Sequence, residues 1–323
     1  MTDKPDLTIS IATYDRNDLL GRTIQSCLDQ TNALGLRYEI VVTDNHPEAK
    51  ARPLVLGMAE TSAIPIRYIQ ETARNMSVLR NASIKDARGD FLAFVDDDEF
   101  AAPNWTDELM GALRRTGADI VVGPRLAEFP FGKPAYDPSG LSFERHADLE
   151  PDQAVALVRA DGKPQYGFGT GNSLYRVATC FRDAEPFKIA FGDGHGEDME
   201  FLMRQYREGR TLVWAPKAIV TEEIVPHRLT VPYRFIRATR ETQVFVMHYL
   251  EHSPTPGRVR LLLTVQGLIQ IVAGALLTVL TWEFGSKTRI RARRLLIKGL
   301  GKLTWTNPVR YIDEDVYKVA AKP

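Results

Sequence analysis

Cysteine is nearly absent from this chain: Cys27 and Cys180 are the only two in 323 residues. Both fall in apolar helical patterns, so they read as small buried hydrophobes, and neither a disulfide framework nor a zinc site can be built from them. A net charge is lacking too. Lys+Arg and Asp+Glu each number 41, which excludes the overall basic excess of a nucleic-acid binder. The N-terminus, Met1-Thr2-Asp3-Lys4-Pro5-Asp6, has no basic-then-apolar build and therefore no signal-peptide character. The expectation is a folded part that stays in the cytoplasm. What remains is an ordinary globular composition, 44% hydrophobic and 25% charged, with ample material for a core.

The chain is organised around Phe91-Leu92-Ala93-Phe94-Val95-Asp96-Asp97-Asp98-Glu99-Phe100. Five apolar residues run directly into four acids. A short β-rich apolar run reads as a central buried strand. Carboxylates crowded at its C-terminal end repel one another and cost desolvation unless something compensates them. Ligands of open α/β sheets bind at the carboxyl ends of strands. Clustered Asp oxygens at that position suit a hard divalent cation, Mg2+ or Mn2+, with substrate phosphates completing its shell. The plain alternative is a solvated acidic turn.

Around this strand the pattern alternates. Strands are expected at residues 7–13, 38–43, 66–70 and 118–123, and helices from Asn17 or Asp18 as cap, over 48–61, from Asn75 to about Ala87, and from Pro103 to about Thr116. Strands and helices alternating at this spacing predict βαβ units and a mainly parallel sheet. Residues 124–166 carry many prolines and charges and read as an irregular excursion. Glycines at 167, 169 and 171 allow either close backbone approach or a tight turn. Residues 192–196 (GDGHG) read as a flexible loop and a hinge for a lid. They precede a helix over 197–206 ended by Gly209, with Glu197 and Asp198 in its first turn, where the helix dipole favours carboxylates. A further strand is expected at 211–215. The sequence thus offers an acidic strand end to hold a metal-bound leaving group, and an acidic helix start to supply a general base.

These pieces together resemble the family 2 glycosyltransferases of GT-A fold, over roughly residues 7–230. The resemblance is carried by Thr13-Tyr14, Asp44, Asn75 with Arg80-Asn81, the DXD-like Asp96-Asp97-Asp98, the Gly-Thr-Gly-Asn of 169–172, and Gly196-Glu197-Asp198. The finer pattern is most similar to bacterial exopolysaccharide glucosyltransferases of the succinoglycan (ExoM-like) type. It implies that Thr13 and Tyr14 line a uridine pocket, that Asp44 accepts from the uracil edge, and that Arg80 lies near the donor. Asp96 would contact the ribose or sugar and Asp98 the metal, with Asp97 able to replace either. Asp198 would be the catalytic base, with Glu197 its neighbour or substitute. The family also places a histidine after the strand that follows this helix. Thr221 stands where it is expected, which leaves His227 either as a shifted metal ligand or as an ordinary surface histidine. The implied reaction is inverting: a UDP-sugar, UDP-glucose by preference, gives its sugar to a polyprenyl-diphosphate-linked oligosaccharide in exopolysaccharide assembly.

Rival readings are weaker. A sugar nucleotidyltransferase would show a Gly-rich phosphate loop after its first strand, and Tyr14-Asp15-Arg16-Asn17 is not one. A non-catalytic membrane-bound sugar-binding scaffold has no use for an intact acidic set. A hydrolase would also use two carboxylates but needs no uridine pocket.

Residues 231–323 read as a helical region. In the helix expected over 232–252, Arg234, Arg237 and Arg240 stack on one face, to meet an acceptor diphosphate or a lipid surface, or simply solvent. Residues 261–282 carry no formal charge and are long enough to span a bilayer. Gln266 and Gln270 interrupt one face. Arg258 and Arg260 precede the stretch, and Lys287, Arg289, Arg291, Arg293, Arg294 and Lys298 follow it. Bases on both sides suit anionic headgroups better than simple crossing. The expectation is a membrane-associated helix or re-entrant hairpin on the cytoplasmic face of a bacterial inner membrane, against a packed core helix pair as the alternative.

Overall fold

The structure, a computed structural model, describes residues 4–165, 167–192, 196–281 and 286–309. Residues 193–195 of the expected hinge, Tyr166 and Trp282 lie outside the described residues.

In chain order the elements are β1 (Leu7–Thr13), α1 (Asn17–Leu28), β2 (Tyr38–Asp44), α2 (Arg52–Thr61), β3 (Ile66–Gln70), α3 (Met76–Asp86), β4 (Phe91–Asp96), β5 (Glu99–Ala101), α4 (Trp105–Thr116), β6 (Ile120–Val122) and β7 (Arg125–Glu128). They continue with β8 (Ser173–Arg176), α5 (Val177–Cys180), α6 (Glu197–Arg207), β9 (Leu212–Trp214), β10 (Val220–Glu223), α7 (Val231–His252), α8 (Pro256–Leu280) and α9 (Ser286–Leu303). The main sheet has seven strands in the order β3-β2-β1-β4-β8-β6-β9. It is parallel except for β8, which runs antiparallel to both its neighbours. The expected mainly parallel α/β architecture is therefore present. Every residue of β2 is buried, because helices cover both faces of the sheet.

Register fixes where the chemistry falls. Ala12 of β1 stands beside Asp96 of β4, and Thr13 stands beside Asp44 of β2. The acidic end of β4 thus opens at the carboxyl edge next to the first strand. A second, small sheet has the order β5-β10-β7, and its Arg125 and Glu222 line the cavity at that edge.

Several boundaries differ from expectation for local reasons. Neither Asn17 nor Asp18 caps α1; Arg16 occupies that position without a side-chain cap, and the Asn17 amide donates to the Lys50 carbonyl at 3.0 Å. The helix after Pro103 begins two residues later, at Trp105. Helix α2 starts only at Arg52, because residues 44–51 form a turn held by the Asp44 carboxylate. Asn75 does cap α3, accepting from the Val78 N–H at 3.1 Å. Strands β5, β7, β8 and β10 had no separate signal; at three or four residues each they are too short for an alternation to register.

The three last helices pack on one another. Backbones of α8 and α9 approach closely: a Cβ added at Gly274 would lie 2.5 Å from the Leu296 nitrogen, and one at Gly299 2.6 Å from the Gly267 oxygen. Small residues at such contacts let helices meet at backbone distance. Among the described residues nothing covers the outer face of α8, where Leu261, Leu268, Ile269, Val272 and Leu280 are all more than half exposed. By length and composition α8 is long and apolar enough to cross a membrane.

Candidate active site

A cavity of about 880 Å³ opens at the carboxyl ends of β1 and β4. Its walls come from the turn after β1, the starts of α3 and α6, the acidic end of β4, and the cavity-facing side of α7. Of the residues singled out in the sequence, Thr13, Tyr14, Arg80, Asp96, Asp97, Asp98, Glu197 and Asp198 all line it. Elements a hundred residues apart in the chain supply one site.

The three successive aspartates separate in role once folded. Asp97 is buried and anchored: it accepts from the Thr13 hydroxyl at 2.8 Å and from Arg16 at 3.1 Å. Asp98 is buried between Arg16 at 3.0 Å and Arg228 at 3.3 Å. Asp96 is half-buried at the cavity wall. Behind them, Glu99 faces Arg125 at 3.8 Å, and Glu222 pairs with Arg125 at 3.0 Å and with Arg228. The acids at the strand mouth are thus largely compensated by Arg16, Arg125 and Arg228, which sequence reasoning missed. Ion pairs between residues so far apart in the chain leave no local pattern. Compensation is incomplete. Burial, followed by the Arg228, Glu222 and Arg16 charges, leaves the Asp98 carboxyl raised to about 7. Burial and the neighbouring Asp96 raise Glu99 to about 8. Burial and the Arg125 and Arg228 charges act on Glu222 in opposite senses, and the arginines win, so it is held below its ordinary value.

The second acidic group is equally differentiated. Glu197 is committed: one oxygen pairs with the buried Arg80 guanidinium and the other accepts from the Gly196 N–H at 2.8 Å. Asp198 accepts from the Met199 N–H at 2.7 Å through Oδ1. Burial, then the adjacent Glu197 charge, raises its carboxyl to about 6, so at neutral pH it is mostly ionised.

The glycines of the loop before β8 have a specific purpose. A Cβ at Gly169 would lie 2.7 Å from Asp198 Oδ2, and one at Gly171 2.8 Å from Asp96 Oδ2 and 2.9 Å from both Glu99 oxygens. The loop passes directly beneath carboxylates from three elements, where any side chain would displace them. Arg145 holds it there, donating to the carbonyls of Gly171 at 2.6 Å, Gly123 at 3.2 Å, and Gly169 and Asn172 at 3.3 Å. Arg145 comes from the 124–166 excursion, where nothing in the sequence marks it.

Two expected residues stand outside the cavity wall. Asp44 is fully buried, with its oxygens accepting from the His46 and Ala51 N–H groups and the Tyr68 hydroxyl at 2.8–3.0 Å. Its neighbour Asn45 lines the cavity instead. His227 is buried and packs edge-on against Tyr233 at 5.5 Å, while the adjacent Arg228 reaches the acids. Conversely, Arg234 and Arg240 of α7 are buried rather than solvated, and Tyr233, Arg237 and Arg240 line the cavity.

Residues 8–178 match the family model described as glycosyl transferase family 2. This chain is a family 2 glycosyltransferase. It is 31% identical to the succinoglycan biosynthesis protein ExoM of Rhizobium meliloti over 237 residues, 73% of each chain. The transferase also has the GT-A fold. Its structural relatives include S. aureus TarS 1-349 in complex with UDP, with a TM-score of 0.53, 15% identity and 95% of this chain and 94% of that one covered. Another is the mannosyltransferase PcManGT of Pyrobaculum calidifontis in complex with GDP-Man and Mn2+, with a TM-score of 0.56, 16% identity and coverage of 95% and 88%. At such identities those structures speak for the fold of the transferase alone.

Proposed function

We propose that the enzyme is an inverting glycosyltransferase that moves a sugar, glucose by preference, from its UDP-linked form to a polyprenyl-diphosphate-linked oligosaccharide in exopolysaccharide assembly. The observation that carries this is the split between Glu197 and Asp198. Glu197 is locked to Arg80 and a backbone N–H, whereas Asp198 lines the cavity with its Oδ2 against Gly169 and its carboxyl at about 6. A base for a sugar hydroxyl must be ionised at working pH and within reach of its proton. Asp198 meets the first condition at neutral pH and lines the cavity that would hold the substrates.

In this reaction the acceptor hydroxyl oxygen attacks the anomeric carbon from the face opposite the diphosphate. The carbon–oxygen bond to the β-phosphate breaks, UDP departs with the electron pair, and the hydroxyl proton passes to Asp198. Thr13 and Tyr14 would contact the uridine, with the Tyr14 ring flanked by His46 at 5.2 Å and the Arg74 guanidinium at 5.6 Å. Asp44 would serve this pocket by fixing the 44–51 turn rather than by touching the base. Arg80 would face the donor, and Asp96 its ribose or sugar.

Among the described residues the donor set at the strand mouth is oxygen only, and Glu99 Oε1 is a buried oxygen that accepts no hydrogen bond. Such a set fits a hard divalent ion, Mg2+ or Mn2+. Asp98 and Asp96 would hold it, and His227, outside the cavity wall, would not. When bound, the ion would neutralise charge on the departing diphosphate.

Residues 1–230 would form the catalytic part, completed by the cavity-facing side of α7. The α8–α9 hairpin would attach the enzyme to the cytoplasmic face of the bacterial inner membrane, where a lipid-linked acceptor resides.

The test is calorimetric titration of UDP with and without Mn2+ on the wild type and on Asp98→Ala, followed by transfer assays with Asp198→Asn. The expected result is metal-dependent UDP binding lost in Asp98→Ala. Asp198→Asn should retain UDP binding but lose about 10²–10⁴ in turnover, the usual contribution of a general base. An Asp198→Asn enzyme with near wild-type turnover, or no UDP binding under any condition, would sink the proposal.

A further inference from the structure

The last turn of α7 holds a cluster that the transfer reaction does not use. His248, Glu251 and His252 are spaced i, i+3, i+4, so they share one helix face. None of them lines the cavity. One ligand atom of each lies within 4.8 Å of the others.

Hydrogen bonding fixes what two of these groups present. His252 Nδ1 lies 2.7 Å from the His248 carbonyl oxygen. A carbonyl only accepts, so Nδ1 carries the proton and Nε2 bears the lone pair. That Nε2 is buried and has no hydrogen-bond partner among the described residues. His248 is 1% exposed, and its Nδ1 is likewise buried without a partner. Glu251 Oε2 stands 3.7 Å from His248 Nδ1, too far for a hydrogen bond. Its other oxygen accepts from Arg207 at 2.9 Å, which anchors the carboxylate.

Two orphaned imidazole nitrogens on adjacent helical turns are costly unless something satisfies both. We propose that this turn is a binding site for a borderline transition-metal ion, Zn2+ by preference, with His248 Nδ1, Glu251 Oε2 and His252 Nε2 as its protein ligands. Histidines at i and i+4 on one helix are a zinc-binding spacing. Ligand bonds of about 2.0–2.1 Å at a tetrahedral angle put neighbouring donor atoms about 3.4 Å apart, close to the 3.7 Å between His248 Nδ1 and Glu251 Oε2. The His252 Nδ1–H bond to a backbone carbonyl and the Arg207 contact to Glu251 are the outer-shell supports such ligands usually have. Two neutral imidazoles with one carboxylate select Zn2+ over Mg2+ or Ca2+. The ion is structural: it ties the final turn of α7 just before the chain reverses into α8.

The test uses the full-length protein, stripped of metal and held in excess Mg2+ so that oxygen-only sites are filled. Zn2+ is titrated against a chromophoric chelator, Co2+ is substituted for its visible absorption, and UDP binding is measured in parallel as a check on folding. The expected result is one Zn2+ per chain and a four-coordinate Co2+ spectrum. Binding should weaken about tenfold or more in both Glu251→Gln and the half-buried His252→Asn, with UDP binding retained. No stoichiometric Zn2+, or binding unchanged in both variants, would overturn the proposal and leave a water bridging the two imidazoles. Because UDP is read separately, failure here and failure of the transferase reading are distinguishable.

Discussion

Asp198 and Asp96 reach the same cavity above one loop, and what lets them do so is the absence of side chains beneath them. Gly171 takes no left-handed conformation, so alanine there is not opposed by the backbone. It is opposed by the 2.8–2.9 Å separation from the Asp96 and Glu99 oxygens. We therefore expect Gly171→Ala to fold with a melting temperature close to that of the wild type while transfer falls at least about tenfold, since small misplacements of reacting groups cost that much or more. Thermal melts beside a transfer assay check this, and an unchanged rate would mean that Asp96 is not positioned from below. The residue scale is also where legibility divides. The acids, the glycines and the G-E-D start were visible because each is a local run. Arg16, Arg125, Arg145 and Arg228 were not, because each acts on a partner distant in sequence. That Asp97 is tied to Thr13 and Arg16 while Asp98 lies between Arg16 and Arg228 is something no reading of three identical residues supplies.

Among elements, the long and strongly patterned ones were legible and the short ones were not. The apolar run of β4, the fully buried β2 and the capped α3 declare themselves. The four residues of β8, antiparallel in a parallel sheet, do not. Helix α7 shows the limit of periodicity. Its arginine spacing was evident, but whether that face met solvent or substrate depended on where the helix docked. Helix α8 was recognised from composition, and its uncovered face makes a definite expectation. Replacing Leu268, Ile269 and Val272 by glutamine removes three side chains, each worth about 1.5–3 kcal/mol when buried in an apolar phase. The wild type should float with anionic vesicles in a sucrose gradient and the triple variant should remain at the bottom, with UDP binding intact. Co-flotation of the variant would show that this face does not meet lipid.

At the scale of the whole molecule, the site is held at a cost to the metal-free fold. Asp98 and Glu99 titrate near 7 and 8 in the folded chain, against 3.8 and 4.5 as ordinary values, chiefly because burial disfavours their charged forms. A carboxyl raised in this way binds its proton more tightly folded than unfolded. Its stabilising contribution is complete below the ordinary value and is lost as pH rises towards the folded one. In chelator, the melting temperature should therefore fall from about pH 4 to about pH 8, as the unfolded chain releases protons that the fold retains. Added Mn2+ with UDP should offset the loss most at the upper end, because a bound ligand stabilises by mass action and a cation favours the ionised carboxylates. A melting curve flat or rising with pH over that window would show that Arg16, Arg125 and Arg228 neutralise the acids completely. The cluster would then be a finished ion-pair network with no call for a cation, and the transferase would have to stabilise its leaving group with the arginines alone.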